Sequence, residues 1–440
     1  MVVADESTPR PEAVLTRDAR ARRRLLLGAV AAPLAACSPS GRPVGAPVTL
    51  VFKHAKLFGD PAPLRTLLDA FERSNPGIRV RDETLPASSD AQHQFYAINL
   101  QARSPAFDVF AADVIWVAGF AQAGWLRDLS ELLPDHERAA LFAGPMRAVT
   151  HRQRPYAFPW YVDAGLLYFR SDLLARHGHA PPRTWSGLVR AAQAVCAREP
   201  GLRGFVWQGR QYEGLVCNAL EYLWSNGGQV FDDGRVVLDS EANRTALSFM
   251  VDLVHRYRVS PGSVTTATEE PSRHLFGQGR ALFMRNWPYA WTTFADPASR
   301  VHGAVGISVL PHFPGGRSTA ALGGWQLAVN AYSRAPDAAM RLVAWLGSVP
   351  AQKSLALAYG FQPSRVALYD DADLLAAQPA LATLREVFAT ARPRPVMPRY
   401  VRVSQVLQTE FSAALSRVRP VALALASAQR GIERVVADAH

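Results

Sequence analysis

From Val48 to Trp116 the chain alternates between two periodicities, and this restricts its fold more than any other feature. "VTLVFKH" (48–54) is an apolar-rich run of strand length. "LRTLLDAFERSNPG" then spaces its apolar residues for a helix and stops at Asn75-Pro76-Gly77. "IRVRDETL" returns to strand, "FYAINLQAR" to helix, and "FDVFAADVIW" to strand again. Strand–helix–strand repetition calls for a parallel sheet covered by helices. "YAFPWYVDAGLLYFRSDLL" predicts a strand pair around Pro159, then a helix opened by Ser171-Asp172. Residues 184–255 are dominated by helical patterns, residues 305–333 regain strand character, and the remainder is mostly helical. An α/β, helical, β, helical order over 440 residues predicts an α/β protein of two lobes, each built from discontinuous segments. A chain that crosses between lobes more than once makes a hinge and a cleft, where ligands usually bind.

The first residues read as a processed leader. "ARRRLLLGAVAAPLAAC" (21–37) sets three arginines before an apolar run from Leu25 to Ala36. Twelve residues are too few to span a bilayer, and this pattern is that of an export signal over 1–36. Its ending, Leu34-Ala35-Ala36-Cys37, resembles a bacterial lipobox, in which Cys37 is acylated and becomes the first mature residue. Residues 37–47, rich in Ser, Pro and Gly, read as a tether. The expectation is an exported lipoprotein, periplasmic or on the cell surface, that meets the membrane only through its lipid.

The net charge of +11 raises the question of nucleic acid. Outside the leader the arginines are dispersed and form no basic motif, so no nucleic-acid partner is expected. Cys196 and Cys217 remain after processing; both sit in apolar helical contexts, which leaves buried thiols and a disulfide equally open. No Cys/His cluster predicts a metal and no motif predicts a cofactor. Walker A, HExxH and GxSxG are absent, and "FGQGRA" (276–281) lacks the third glycine of a dinucleotide loop. A pair of glycosidase carboxylates has no fixed spacing, so that class stays as the competing one.

Six segments carry a family resemblance: "DVFAADVIW", "FPWYVDAGLLYFRSDLL", "GFVWQGRQYEGLVCNALEYLWSNGG", "FMRNWPYAW", "LGGWQLAVN" and "RPVMPRY". In this order the chain resembles the extracellular solute-binding proteins of bacterial sugar ABC importers, most closely the trehalose/maltose-binding branch, over about Val48 to Val435. The resemblance implies a two-lobe, maltose-binding-protein-like periplasmic-binding fold. One lobe would hold 48–158 and 305–349, the other 159–304 and 350–440. It also implies a monomer that binds an α-linked disaccharide without catalysis and presents it to permease subunits. Another oligosaccharide, a glucoside, or a phosphorylated or amino sugar are the other ligand readings.

A sugar offers apolar C–H faces for aromatic stacking and a belt of hydroxyls for charged groups. Asp113 closes an apolar strand, where α/β ligands bind, although Asp is also a common helix cap. Tyr161 and Asp163 share a face if their segment is extended, and a carboxylate in so apolar a stretch needs partners. Tyr161 could instead simply pack. In "FMRNWPYAW", Pro288 argues that a strand ends near Arg285 and a helix begins near Pro288. Trp287 and Tyr289 then face the ligand, while Phe283 and Trp291 pack. Gly323 and Gly324 let a ligand approach the backbone beside Trp325, unless they only form a tight bend. Glu213 stands at a predicted helix start, where the dipole alone would favour it. By resemblance Arg394, with Arg392 as its neighbouring alternative, grips the sugar. The loop 54–60 should also face the cleft, without a pattern that assigns its contacts.

Overall fold

The computed structural model describes residues 47–57, 60–86 and 88–437. The signal segment, Cys37 and most of the tether lie outside the described residues.

Two sheets organise the chain. The first has the order β10-β4-β9-β3-β1-β2. Its members are β1 (Val48–Ala55), β2 (Ile78–Leu85), β3 (Val109–Asp113), β4 (Phe158–Ala164), β9 (Leu322–Val329) and β10 (Gln362–Pro363). β1 runs parallel to β2 and β3, as the helical crossovers α1 (Ala62–Ser74) and α2 (Ser89–Gln101) require. β9 is antiparallel to both β3 and β4. The second sheet, β8-β5-β7-β6, joins β5 (Leu166–Arg170), β6 (Arg203–Val206), β7 (Ala281–Asn286) and β8 (Val305–Ser308). Each sheet packs into its own apolar core. One is centred on Phe52, Phe110, Trp160 and Leu342, the other on Tyr168, Trp185, Phe205 and Leu220.

Five helices position the site or its surroundings. They are α3 (Trp185–Cys196), α4 (Glu213–Ser225), α5 (Glu269–Gly277), α6 (Ala290–Ala295) and α7 (Leu381–Thr390). A sixth, α8 (Tyr400–Leu415), packs on α4.

The strand pairing shows where the chain passes from one sheet to the other. The break in "FPWYVDAGLLYF" falls at Gly165, since β4 pairs with β9 in the first sheet and β5 pairs with β7 in the second. Pro159 lies within β4, opposite Gln326 and next to a bulge; the bulge disrupts the ladder locally. Residues 159–164 therefore belong to the first sheet. Residues 305–308 pair with β5 and belong to the second, so the return crossing lies in 309–321. β10, at 362–363, still belongs to the first sheet. Cys196 and Cys217 are free thiols. Burial pushes the Cys217 thiol up to about 12, which keeps it protonated and inert.

Candidate functional site

Strand register aligns the predicted residues of the first sheet. Trp325 on β9 lies opposite Asp113 of β3 on one side and Tyr161 of β4 on the other. Gly323 lies opposite Asp163. Because strand side chains alternate, Asp113, Trp325, Tyr161 and Asp163 fall on one face. Trp325 meets Trp116 edge-on at 5.6 Å, which fixes its plane. Tyr161 stacks on Phe361 with centroids 4.0 Å apart. Phe361, a lone aromatic in "YGFQPS", gave no sequence signal of its own.

The second sheet supplies the opposing wall. β7 ends at Asn286, Pro288 and Tyr289 form the turn, and α6 starts at Ala290, two residues later than expected. Trp287 thus sits at the junction. Its Nε1 donates to Glu269 at 3.3 Å, and the Arg285 guanidinium lies 4.0 Å from its ring centroid. Tyr289 donates its hydroxyl to Glu270 at 2.7 Å. Phe283 is fully buried and Trp291 is half-buried against the same core.

Trp287 also reaches the first sheet. A Cβ on Gly323 would come within 3.1 Å of the Trp287 ring and 3.2 Å of Asp163 Cβ. The space cleared by this glycine is therefore filled by Trp287. Gly324 has φ +113°, and a Cβ there would lie 2.4 Å from the Tyr161 carbonyl, so close strand packing demands glycine.

Arg394 ties the two sides together. Its Nη1 donates to Glu213 Oε1 at 2.8 Å, while Nη2 approaches Asp113 Oδ1 at 3.4 Å and the Leu322 carbonyl at 3.3 Å. Arg394 Nε is buried with no hydrogen-bond partner among the described residues. Glu213, first residue of α4, is buried and also accepts from Tyr400 at 2.7 Å and from Ser404. Its carboxylate is filled by protein donors, so here Glu213 serves as a partner of Arg394. Arg392 is instead exposed and points to a different surface.

Sequence reasoning missed two further polar residues, Asp90 and Ser89. Asp90, in the first turn of α2, senses both Asp113 and Arg210, and burial raises its carboxyl above the usual range. Ser89 beside it donates to Asp113 at 3.0 Å. An acid in a first helical turn reads as ordinary dipole compensation, which hid Asp90.

Asp163 is half-buried and makes no side-chain hydrogen bond among the described residues. Burial pushes its carboxyl up to about 8; the Asp113 carboxylate adds to this and Arg285 opposes it. The folded chain then holds a proton that the unfolded chain releases near its ordinary value, about 3.9. This stabilisation is complete at acid pH and is lost as pH rises from about 4 to about 8. Thermal melts from pH 5 to pH 9 should therefore show Asp163→Asn gaining on the parent chain as pH rises. Parallel melting profiles would overturn this assignment.

The rings, the Asp163 carboxyl and the Arg394 guanidinium gather where the two sheets meet, and comparison with known proteins places the chain in a family. The sequence profile of bacterial extracellular solute-binding proteins matches residues 55–353. The chain belongs to this family. A probable ABC transporter-binding protein of Deinococcus radiodurans is 38% identical over 347 residues, spanning 77% of this chain and 82% of the relative. The maltose-bound structure of MalE3 from T. maritima superposes with a TM-score of 0.84 at 40% identity, covering 88% of this chain and 99% of the other. A solute-binding protein from Agrobacterium vitis with bound D-mannitol gives a TM-score of 0.76 at 25% identity, covering 89% and 99%. This solute-binding protein accordingly has the two-lobe, maltose-binding-protein-like fold. Among the described residues no helix is long and apolar enough to cross a membrane.

Proposed function

We propose that this protein is the lipid-anchored receptor of an ABC sugar importer and captures an α-linked disaccharide of the trehalose or maltose class between its lobes. The observation that carries this reading is the single face holding Asp113, Trp325, Tyr161 and Asp163, closed by Trp287 and Arg394. Its rings suit sugar faces, and the free Asp163 carboxyl and Arg394 Nε suit sugar hydroxyls. The 40% identical neighbour is bound to maltose, which favours that ligand class. The mannitol-bound neighbour favours the second reading, a smaller polyol or another saccharide in the same place.

The mechanism is capture without covalent chemistry. Lobes hinge together, water leaves the ring faces, and charged groups grip hydroxyls in the drier cleft. The closed monomer then docks on its permease, with Cys37 holding it at the membrane.

Calorimetry against trehalose, maltose, other disaccharides and mannitol, followed by product analysis, tests the reading. Micromolar or tighter binding of one intact α-linked disaccharide is expected; cleaved sugar, or binding of mannitol alone, would sink it. Trp287→Ala should weaken that disaccharide roughly tenfold through the lost ring face. An unchanged affinity would remove Trp287 from the site.

A further inference from the structure

A second concavity, of about 780 Å³, lies at the opposite end of α4 from the cleft. Trp224 in its wall is eleven residues along α4 from Glu213, roughly 16 Å by helix rise. Gln229, Arg317, Thr319, Glu386 and Arg392 contribute to the lining. The volume is that of a small-molecule site.

Its charges are out of balance. Arg392 lies with its guanidinium 5.0 Å from the Trp224 ring centroid. Arg317 and Arg392 both line the concavity, so the two cations face a shared space. Neither has a carboxylate within ion-pair distance among the described residues, and Glu386 is likewise unpaired. Two guanidiniums without a counter-ion are a strong attraction for a planar or tetrahedral oxyanion, which each can grip through two N–H groups. Trp224 supplies a ring face beside them, and the Gln229 side chain and Glu386 carboxylate are free to meet hydroxyls.

The wall is also preorganised. The Arg392 backbone is pinned on both sides, by its own N–H to the Ala320 carbonyl at 2.9 Å and by the Leu322 N–H to its carbonyl at 2.8 Å. These bonds join Arg392 to the 320–322 segment and fix the position of its backbone.

We propose that this concavity is a second ligand site, separate from the cleft, for a sugar-sized molecule bearing a phosphate or carboxylate. Arg317 and Arg392 grip the oxyanion, Trp224 receives the ring, and Glu386 and Gln229 hold its hydroxyls.

Calorimetry of the full chain at constant ionic strength, with glucose 6-phosphate, glucuronate, inorganic phosphate and glucose as probes, tests this. Glucose 6-phosphate or glucuronate should bind with a Kd of about 1 mM or tighter, and the tighter of the two identifies the oxyanion. The double variant R317Q/R392Q should weaken that binding at least about tenfold, since both charges are lost. Disaccharide binding in the cleft should be unchanged by the variant, and saturating disaccharide should not displace the anionic probe. Absence of binding, indifference to R317Q/R392Q, or displacement by disaccharide would each overturn the proposal. Equal affinity for inorganic phosphate would overturn the sugar-sized ligand. If no disaccharide binds at all, the cleft assignment fails, while the anion titration still decides this one.

Discussion

Arg394→Met should weaken binding of an α-linked disaccharide by roughly 100-fold, the usual scale for truncating one member of a buried charged pair at a binding site. The guanidinium touches Asp113 at the end of β3, the Leu322 carbonyl on β9 and Glu213 on α4. Methionine keeps the length and apolar bulk of the stem and removes all of these bonds. The fold should survive, because Glu213 retains the Tyr400 and Ser404 hydroxyls as donors and burial already favours its protonated form. Circular dichroism separates the two effects: a native spectrum with an unchanged Kd would overturn the role of Arg394. Glu213→Gln provides the contrast. It keeps an oxygen for Arg394 and should cost far less affinity, as expected of a residue that acts through Arg394.

This division of labour marks how far the sequence can be read. The alternation of β1, α1, β2, α2 and β3 was legible because apolar period and chain punctuation agree in each element. Asp113 was legible because it terminates an apolar strand, and the Trp287 junction because Pro288 cannot continue one. Glu213 was not. A carboxylate at a helix start has the same local signature whether it meets a sugar, a dipole or an arginine 181 residues away. Phe361 and Asp90 were hidden for the same reason: what places them at the site is a neighbour in space. Sheet membership was hidden differently. Residues 305–308 and 159–164 both read as strands, but which sheet accepts a strand depends on pairing partners that one segment does not encode. The buried pair Arg285–Glu221 was equally silent, since each residue lies in a separate apolar segment.

That pair carries the largest expected loss of stability. Glu221 and Arg285 are almost fully buried, with Arg285 Nη2 and Nε donating to the two carboxylate oxygens at 2.5 and 2.9 Å. Glu221 Oε1 also accepts from the Ala321 N–H at 3.1 Å. A Cβ on Gly165 would fall 2.0 Å from the same oxygen, so the chain passes the pair there without room for a side chain. One carboxylate thus contacts two of the segments that join the sheets. Glu221→Leu would strand a buried guanidinium and should cost about 3–5 kcal/mol of unfolding free energy in urea titration. The double variant E221L/R285M removes both charges and should recover most of that loss, because the apolar isosteres need no counter-charge. Recovery should stay incomplete, since the Ala321 N–H loses its acceptor. Sugar affinity should not recover with stability, because the double variant also strips the cation from the Trp287 ring. A single variant that unfolds within 1 kcal/mol of the parent, by the same linear extrapolation, would show the pair to be dispensable to the hinge.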